Sequence, residues 1–131
     1  MNPLVREWIQ KAEGDYATAG REFVVTENPN YDAVCFHAQQ CAEKYIKAAL
    51  VSTGLEVLKT HDLGALLNRL VPAAPEIGTL RGHANVLVTQ AVEVRYPGVS
   101  ADRQDAEEAL DATTAIRKAI RGWFGISGGN T

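Results

Sequence analysis

Apolar residues recur every three or four positions through most of the chain, which is the spacing of one face of an α-helix. The first segment covers 3–25, and its steps of three and four connect Val5, Trp8, Ala12, Tyr16, Ala19 and Phe23. The same spacing marks segments over 31–53, 61–71, 76–94 and 101–124. No segment alternates apolar and polar residues as a half-buried strand does. The pattern therefore predicts four long helices and one short helix.

Asparagine, glycine and proline separate these segments. Asn30 is a suitable N-cap for the second helix and Gly54 a suitable stop, while Thr60 is the expected N-cap of the short third helix. Short connections favour antiparallel neighbours, so we expect an all-α, up-and-down helical bundle. The bundle is predicted to occupy residues 1–125, and the glycine-rich residues 126–131 are predicted to be a disordered tail.

Composition narrows the class of protein. The 131 residues fit one domain, and a net charge of −3 argues against a protein that coats nucleic acid by bulk charge, although a local basic site is compatible with it. No apolar run reaches the ~18 residues of a membrane span, and the N-terminus shows no secretory signal, so a cytoplasmic protein is expected. Cys35 and Cys41 lie about 9 Å apart along one helix, too far for a disulfide, so both are expected in the core.

The second helix carries a polar stripe beside its apolar seam. Spacings of three, four and three place on one face His37, Gln40, Lys44 and Lys47. One interpretation is a solvated helix edge. The other is a basic, hydrogen-bonding surface that faces a ligand groove or a second subunit.

Two shorter motifs also allow two interpretations each. In the segment 59–63, Asp62 suits the first turn of a helix, but His61 and Asp62 also suit a site with an imidazole and a carboxylate beside a ligand. Arg95 and Tyr96 suit the end of the fourth helix, and equally a phosphate contact and a stacking surface. These eight residues, including the four of the stripe, are the candidate ligand-binding set.

The usual catalytic templates are absent from the sequence. There is no phosphate-binding glycine loop, no zinc-protease helix motif and no nucleophile elbow. The three histidines, His37, His61 and His83, lie in three different predicted helices without metal-ligand spacing. We therefore expect no metal site and no cofactor, and no catalytic residue is assigned.

Taken together, these segments resemble the HEPN family, the nucleotide-binding domains of prokaryotes and higher eukaryotes. The resemblance covers nearly the whole chain and is strongest in residues 31–44, YDAVCFHAQQCAEK. It includes residues 8–15 in the first helix, the KTHDL string at 59–63 and the RYP string at 95–97. It implies a helical bundle that is usually a homodimer and is often encoded beside a minimal nucleotidyltransferase, in some cases as the toxin of a toxin–antitoxin pair.

The resemblance is incomplete at one motif. Many toxin members are metal-independent ribonucleases with an Arg followed, after four to six residues, by a His. None of the three histidines here has an Arg at that distance, and Arg81 is too close to His83. No ribonuclease activity of the usual kind is expected, and whether the chain is an enzyme is left open, with the balance towards no enzymatic activity.

Three functions are compatible with the sequence. The favoured one is a nucleotide- or nucleic-acid-binding partner subunit of a minimal nucleotidyltransferase. The others are a divergent metal-independent ribonuclease toxin, and a dimerising protein-interaction module without a ligand. For the dimer, we expect contacts through Ala84 and Ala91 of the fourth helix and through the small-residue face of the second.

Overall fold

The computed structural model describes residues 1–93 and 96–126, together with the side chains of these residues except 92 and 93. It contains five α-helices: α1 (Pro3–Phe23), α2 (Tyr31–Ser52), α3 (Leu63–Leu70), α4 (Arg81–Glu93) and α5 (Arg103–Phe124). A short 3₁₀ helix, Pro75–Leu80, leads into α4, and no strand occurs within the described ranges. The all-α prediction is confirmed.

Contacts between side chains give the relative direction of the helices. Trp8 lies near Lys47, and Asp15 contacts His37, so α1 and α2 are antiparallel. Asp32 accepts from the backbone N–H of Ala101, just before α5, and Tyr45 meets Arg121 near its end. Helices α2 and α5 therefore run in the same direction, as an up-and-down order of the four long helices α1, α2, α4 and α5 requires.

Helix α2 is the centre of the bundle, since it packs against α1, α3, α4 and α5. Its apolar seam is fully buried, and so are both cysteines. The small side chains predicted as dimer contacts are buried within this single chain, among them Ala38, Ala42, Ala49, Ala84 and Ala91. That predicted dimer surface is wrong, because these small residues let helices of the same chain approach closely.

The helix caps follow local chemistry. The Asn30 side chain accepts from the backbone N–H of Ala33, as predicted, and Gly54 follows α2 with a left-handed φ of 75°. The prediction of Thr60 as the N-cap of α3 is wrong. Asp62 caps that helix by accepting from the N–H groups of Gly64 and Ala65, and Thr60 accepts from the N–H of Asp62. The Asp62 carboxylate accepts hydrogen bonds from two N–H groups at the start of α3 that would otherwise lack a partner. Thr60 lies two residues before Asp62, so its hydroxyl is not the cap of α3.

The predicted fourth helix over 76–94 is shorter than expected. Its first turn is the 3₁₀ helix, with Gly78 in its middle, and the α-helix starts at Arg81. Glycine is a poor α-helix former, and 3₁₀ turns are common at helix N-termini. Residue 94 lies outside the described residues, and so do residues 127–131 of the tail predicted over 126–131.

No helix in the described ranges is long and apolar enough to cross a membrane.

Candidate functional site

Two members of the α2 polar stripe are bound to helix α1. The His37 Nδ1 atom lies 2.8 Å from Asp15 Oδ1, and the Lys44 Nζ atom lies 2.5 Å from Asp15 Oδ2. The Asp15 side chain is only 11% exposed. Since His37 and Lys44 share one carboxylate, this half of the stripe joins two helices and is neither a solvated edge nor part of a groove.

The third basic member of the stripe is buried. Lys47 Nζ donates to Glu43 Oε2 at 2.9 Å, and the side chains are 10% and 4% exposed. The Lys47 ammonium also lies 5.6 Å from the ring centroid of Trp8, within the range of a cation–π contact. A buried carboxylate needs a compensating charge, and Lys47 supplies it to Glu43.

Glu43 connects this buried pair to a histidine at the surface. His61 Nδ1 lies 2.9 Å from Glu43 Oε1, and the His61 side chain is 71% exposed. The Gln39 amide donates to the backbone carbonyl of His61 at 3.0 Å and to Glu43 at 3.4 Å. We call these four residues, Gln39, Glu43, Lys47 and His61, the Glu43 cluster.

The exposed side of the Glu43 cluster opens on a groove of about 560 Å³, which we call the α2 groove. That volume is within the usual range for small-molecule sites. Most of its lining comes from one face of α2, and His61 and Ala91 complete it. The lining residues are Asn30, Asp32, Ala33, Phe36, Gln39, Gln40, His61 and Ala91.

The chemistry of the α2 groove is mixed. Phe36 is 51% exposed, and its ring offers a flat apolar surface. Gln40 donates one amide hydrogen to Gln39 at 3.0 Å. Asp32 lies at the other end, where it accepts from the N–H of Ala101 at 2.6 Å. The groove thus offers an aromatic ring, amide groups, an imidazole and one carboxylate.

The remaining candidates are dispersed. Asp62 has the helix-start role, because its carboxylate is bound by backbone N–H groups of α3. Tyr96 is 63% exposed. Arg95 lies outside the described residues. Of the eight predicted candidates, Gln40 and His61 line the groove, and Lys47 reaches it only through Glu43.

A second ionic network joins α1, α2 and α5. Arg117 donates to Glu13 through Nε at 2.6 Å and through Nη2 at 2.7 Å. The Tyr45 hydroxyl donates to the same carboxylate and accepts from Arg121 at 3.1 Å. Burial alone would raise the pKa of Glu13, but the hydrogen bonds from Arg117 and Tyr45 outweigh it and hold that pKa below its ordinary value. Burial raises the pKa of the Tyr45 hydroxyl.

The two cysteines are poor candidates for chemistry. Burial raises the pKa of the Cys35 thiol to about 12, with an added contribution from nearby Asp105, and burial likewise raises that of Cys41 to about 12. A thiol in this state contains almost no reactive thiolate at neutral pH. Among the described residues, no group of three or more His, Cys, Asp or Glu is placed to hold a metal ion.

The carboxylates that bind these basic side chains were not among the predicted candidates. Asp15 and Glu13 lie on α1, and their partners lie on other helices, so no spacing within one helix reveals them. Glu43 was detectable, because it lies four residues before Lys47, the favourable order for an ion pair on a helix.

The fold and the sequence of α2 define a class of small helical-bundle proteins. Similarity to known proteins identifies the family. The family model for the HEPN domain matches residues 5–123, so this chain belongs to the HEPN family. The solved structure of TT1696 from Thermus thermophilus is similar, with 27% identity over 90% of this chain and 96% of that one and a TM-score of 0.74. ST0689, described as an archaeal HEPN homologue, has 28% identity over 91% and 96% of the two chains and a TM-score of 0.70. No curated protein sequence matches this chain.

Proposed function

We propose that this HEPN protein is a nucleotide- or nucleic-acid-binding subunit that works beside a minimal nucleotidyltransferase, in a toxin–antitoxin or defence-type system of a prokaryote. The observation that carries the binding part is the α2 groove. Exposed Phe36 provides a surface on which a base can stack, and the Gln40 amide can hydrogen-bond to the edge of that base. The His61 imidazole, in the same lining, can contact the phosphate.

Calorimetric titration with a panel of nucleotides and short RNAs tests the binding part, with and without the adjacent nucleotidyltransferase. Phe36→Ala is expected to weaken binding at least fivefold, because stacking on an aromatic side chain contributes about 1–3 kcal/mol per base. Val24→Ala removes another exposed apolar side chain, just after the C-terminus of α1 and outside the groove lining, and is expected to bind as the unmodified chain does. Absence of heat with every ligand in both settings would refute the proposal.

A homodimer is part of the proposal, and exposed apolar side chains favour it. Outside the α2 groove, Val86 on α4, and Tyr96 and Val99 before α5, are between 37% and 63% exposed. These side chains replace the buried alanines as candidate contacts. A stable pair would bury about 1,600 Å² in total. Light scattering at low micromolar concentration should give twice the mass of one chain, and Val86→Glu should shift it towards the monomer; a monomer in the unmodified chain refutes the dimer.

A further inference from the structure

The exposed histidine of the Glu43 cluster has a fixed orientation. Its Nδ1 atom faces the buried Glu43 carboxylate at 2.9 Å, and Lys47 contacts the other carboxylate oxygen at 2.9 Å. A carboxylate held by an ammonium group only accepts hydrogen bonds, so Nδ1 carries the hydrogen. The Gln39 amide holds the backbone carbonyl of the same residue at 3.0 Å. The Nε2 atom is therefore the ring nitrogen left for a ligand.

The charges along the α2 groove are unequal at its two ends. His61 is the only lining residue, among those that the structure describes, whose side chain can become positive. Asp32 is negative and lies eleven residues before Glu43, about 16 Å along the helix axis. The nearby lysines of α2 are bound to Asp15 and Glu43 and do not line the groove. An anionic group is thus favoured at the His61 end and disfavoured at the Asp32 end.

We propose that the α2 groove takes a single nucleotide rather than a strand, with its phosphate on protonated His61, and that Glu43 is the positioning residue that orients and stabilises this imidazolium. The inference rests on the proposed nucleotide-binding function. A strand carries a phosphate at every step and is normally bound along a continuous positive groove. Among the described lining residues, one aromatic ring and one imidazole match one base and one phosphate.

Binding is then coupled to a proton. A histidine changes its charge between about pH 5 and 8, and a bound phosphate favours the charged form. The groups that face the His61 ring are Glu43 and, behind it, Lys47. Asp62 follows in the chain, with its carboxylate bound to the N–H groups of Gly64 and Ala65. Both charge states of His61 keep the hydrogen on Nδ1, so the proton taken up on binding goes to Nε2.

The test uses calorimetry with a 3′,5′-cyclic mononucleotide, since its phosphodiester has a constant charge over this pH range. We expect affinity about tenfold higher at pH 5.5 than at pH 8, the effect of one charge-assisted hydrogen bond. Titrations in two buffers of different ionisation enthalpy near pH 7 should show proton uptake by the complex. The corresponding uncharged nucleoside should bind more weakly, without pH dependence.

Variants separate the ligand contact from a structural role. His61→Gln changes an exposed side chain, and it should abolish both the pH dependence and the proton uptake. His83→Gln, on the exposed surface of α4, is the matched control and should leave both unchanged. Glu43→Gln keeps a hydrogen-bond acceptor for Nδ1 but removes its charge, and should lower affinity at pH 5.5 more than at pH 8. NMR of the ring nitrogens of His61 should show the Nδ1–H form in the unmodified chain and a mixture in this variant.

Three outcomes overturn the inference. Affinity for the cyclic nucleotide that is independent of pH would place the phosphate elsewhere. An oligonucleotide that binds more tightly than the mononucleotide, with a salt dependence of several charges, would show a strand site. Both results leave the proposed binding function intact. Failure of the nucleotide, the nucleoside and the oligonucleotide to bind at any pH refutes the proposed function itself.

Discussion

The ion pair between Glu13 and Arg117 should contribute measurably to stability, because it joins α1 to α5 across the bundle. The Arg117 side chain is 10% exposed and Glu13 is 34% exposed, and two short hydrogen bonds connect them. Glu13→Gln preserves shape but removes the charge, and it presents an amide donor to a guanidinium that can only donate.

The expected loss can be estimated from these contacts. Removing one partner of a buried ion pair costs about 3–5 kcal/mol, and the partial exposure of Glu13 reduces this to about 2 kcal/mol. Unfolding entropy of about 2.1 cal/mol/K per residue gives about 0.28 kcal/mol/K for 131 residues. The expected fall in Tm at pH 7 is therefore about 7 °C, measured by circular dichroism.

The stability lost in Glu13→Gln should decrease as the pH falls. The pKa of Glu13 is lower in the folded chain than its ordinary value of 4.5. The charged carboxylate therefore stabilises the fold above about pH 4.5, and this contribution is lost as the pH falls through the folded pKa. The stability difference between the unmodified chain and Glu13→Gln should be full at pH 7 and disappear in strong acid.

Glu7→Gln is the control, since Glu7 is an exposed residue of the same helix and should change stability by less than about 0.5 kcal/mol. The predicted loss of stability is refuted if Glu13→Gln unfolds within about 2 °C of the unmodified chain at pH 7. The predicted pH dependence is refuted if the difference persists unchanged at pH 3, because the carboxylate charge would then have no part in it.

Three other measurements test local features of the fold. The two buried cysteines have thiol pKa values of about 12. They should therefore react with a thiol reagent at least a hundredfold more slowly in the folded chain than in denaturant. Equal rates in the two states would contradict their burial. Gly125→Ala should cost about 1 kcal/mol, since Gly125 ends α5 at a φ of 77°, whereas Gly122→Ala within the helix should be neutral or stabilising. Asp62→Ala should cost about 1 kcal/mol and more than Thr60→Ala, and the reverse order in urea unfolding would restore the hydroxyl as the cap of α3.

The helix faces were predictable because burial along one helix depends on a period that the sequence displays directly. Val5, Ala12 and Ala19 are all buried, at spacings of seven residues. The N-cap role of Asn30 was also predictable, since it depends only on the four successive residues 30–33. The start of α3 was not, because Thr60 and Asp62 are both good caps and the choice depends on where Leu63 packs.

The candidate site was predictable only in part. The spacing of His37, Lys44 and Lys47 placed them correctly on one side of α2, but not against which partner. The partner of His37 and Lys44, Asp15, depends on the rotation and axial position of α1, which no single-helix pattern contains, whereas the partner of Lys47 lies on α2 itself. A charged stripe is compatible with an exposed surface, whereas contacts with Asp15 and Glu43 leave His37 and Lys44 only partly exposed and bury Lys47.

The position of Trp8 has a consequence for spectroscopy. Its ring contacts Lys47, which binds Glu43, which in turn holds His61 at the edge of the groove. An indole that borders an ammonium group is sensitive to small displacements of that charge. Once Trp123 is replaced by Phe, the emission of Trp8 becomes an intrinsic optical reporter, from outside the groove, of whatever occupies it.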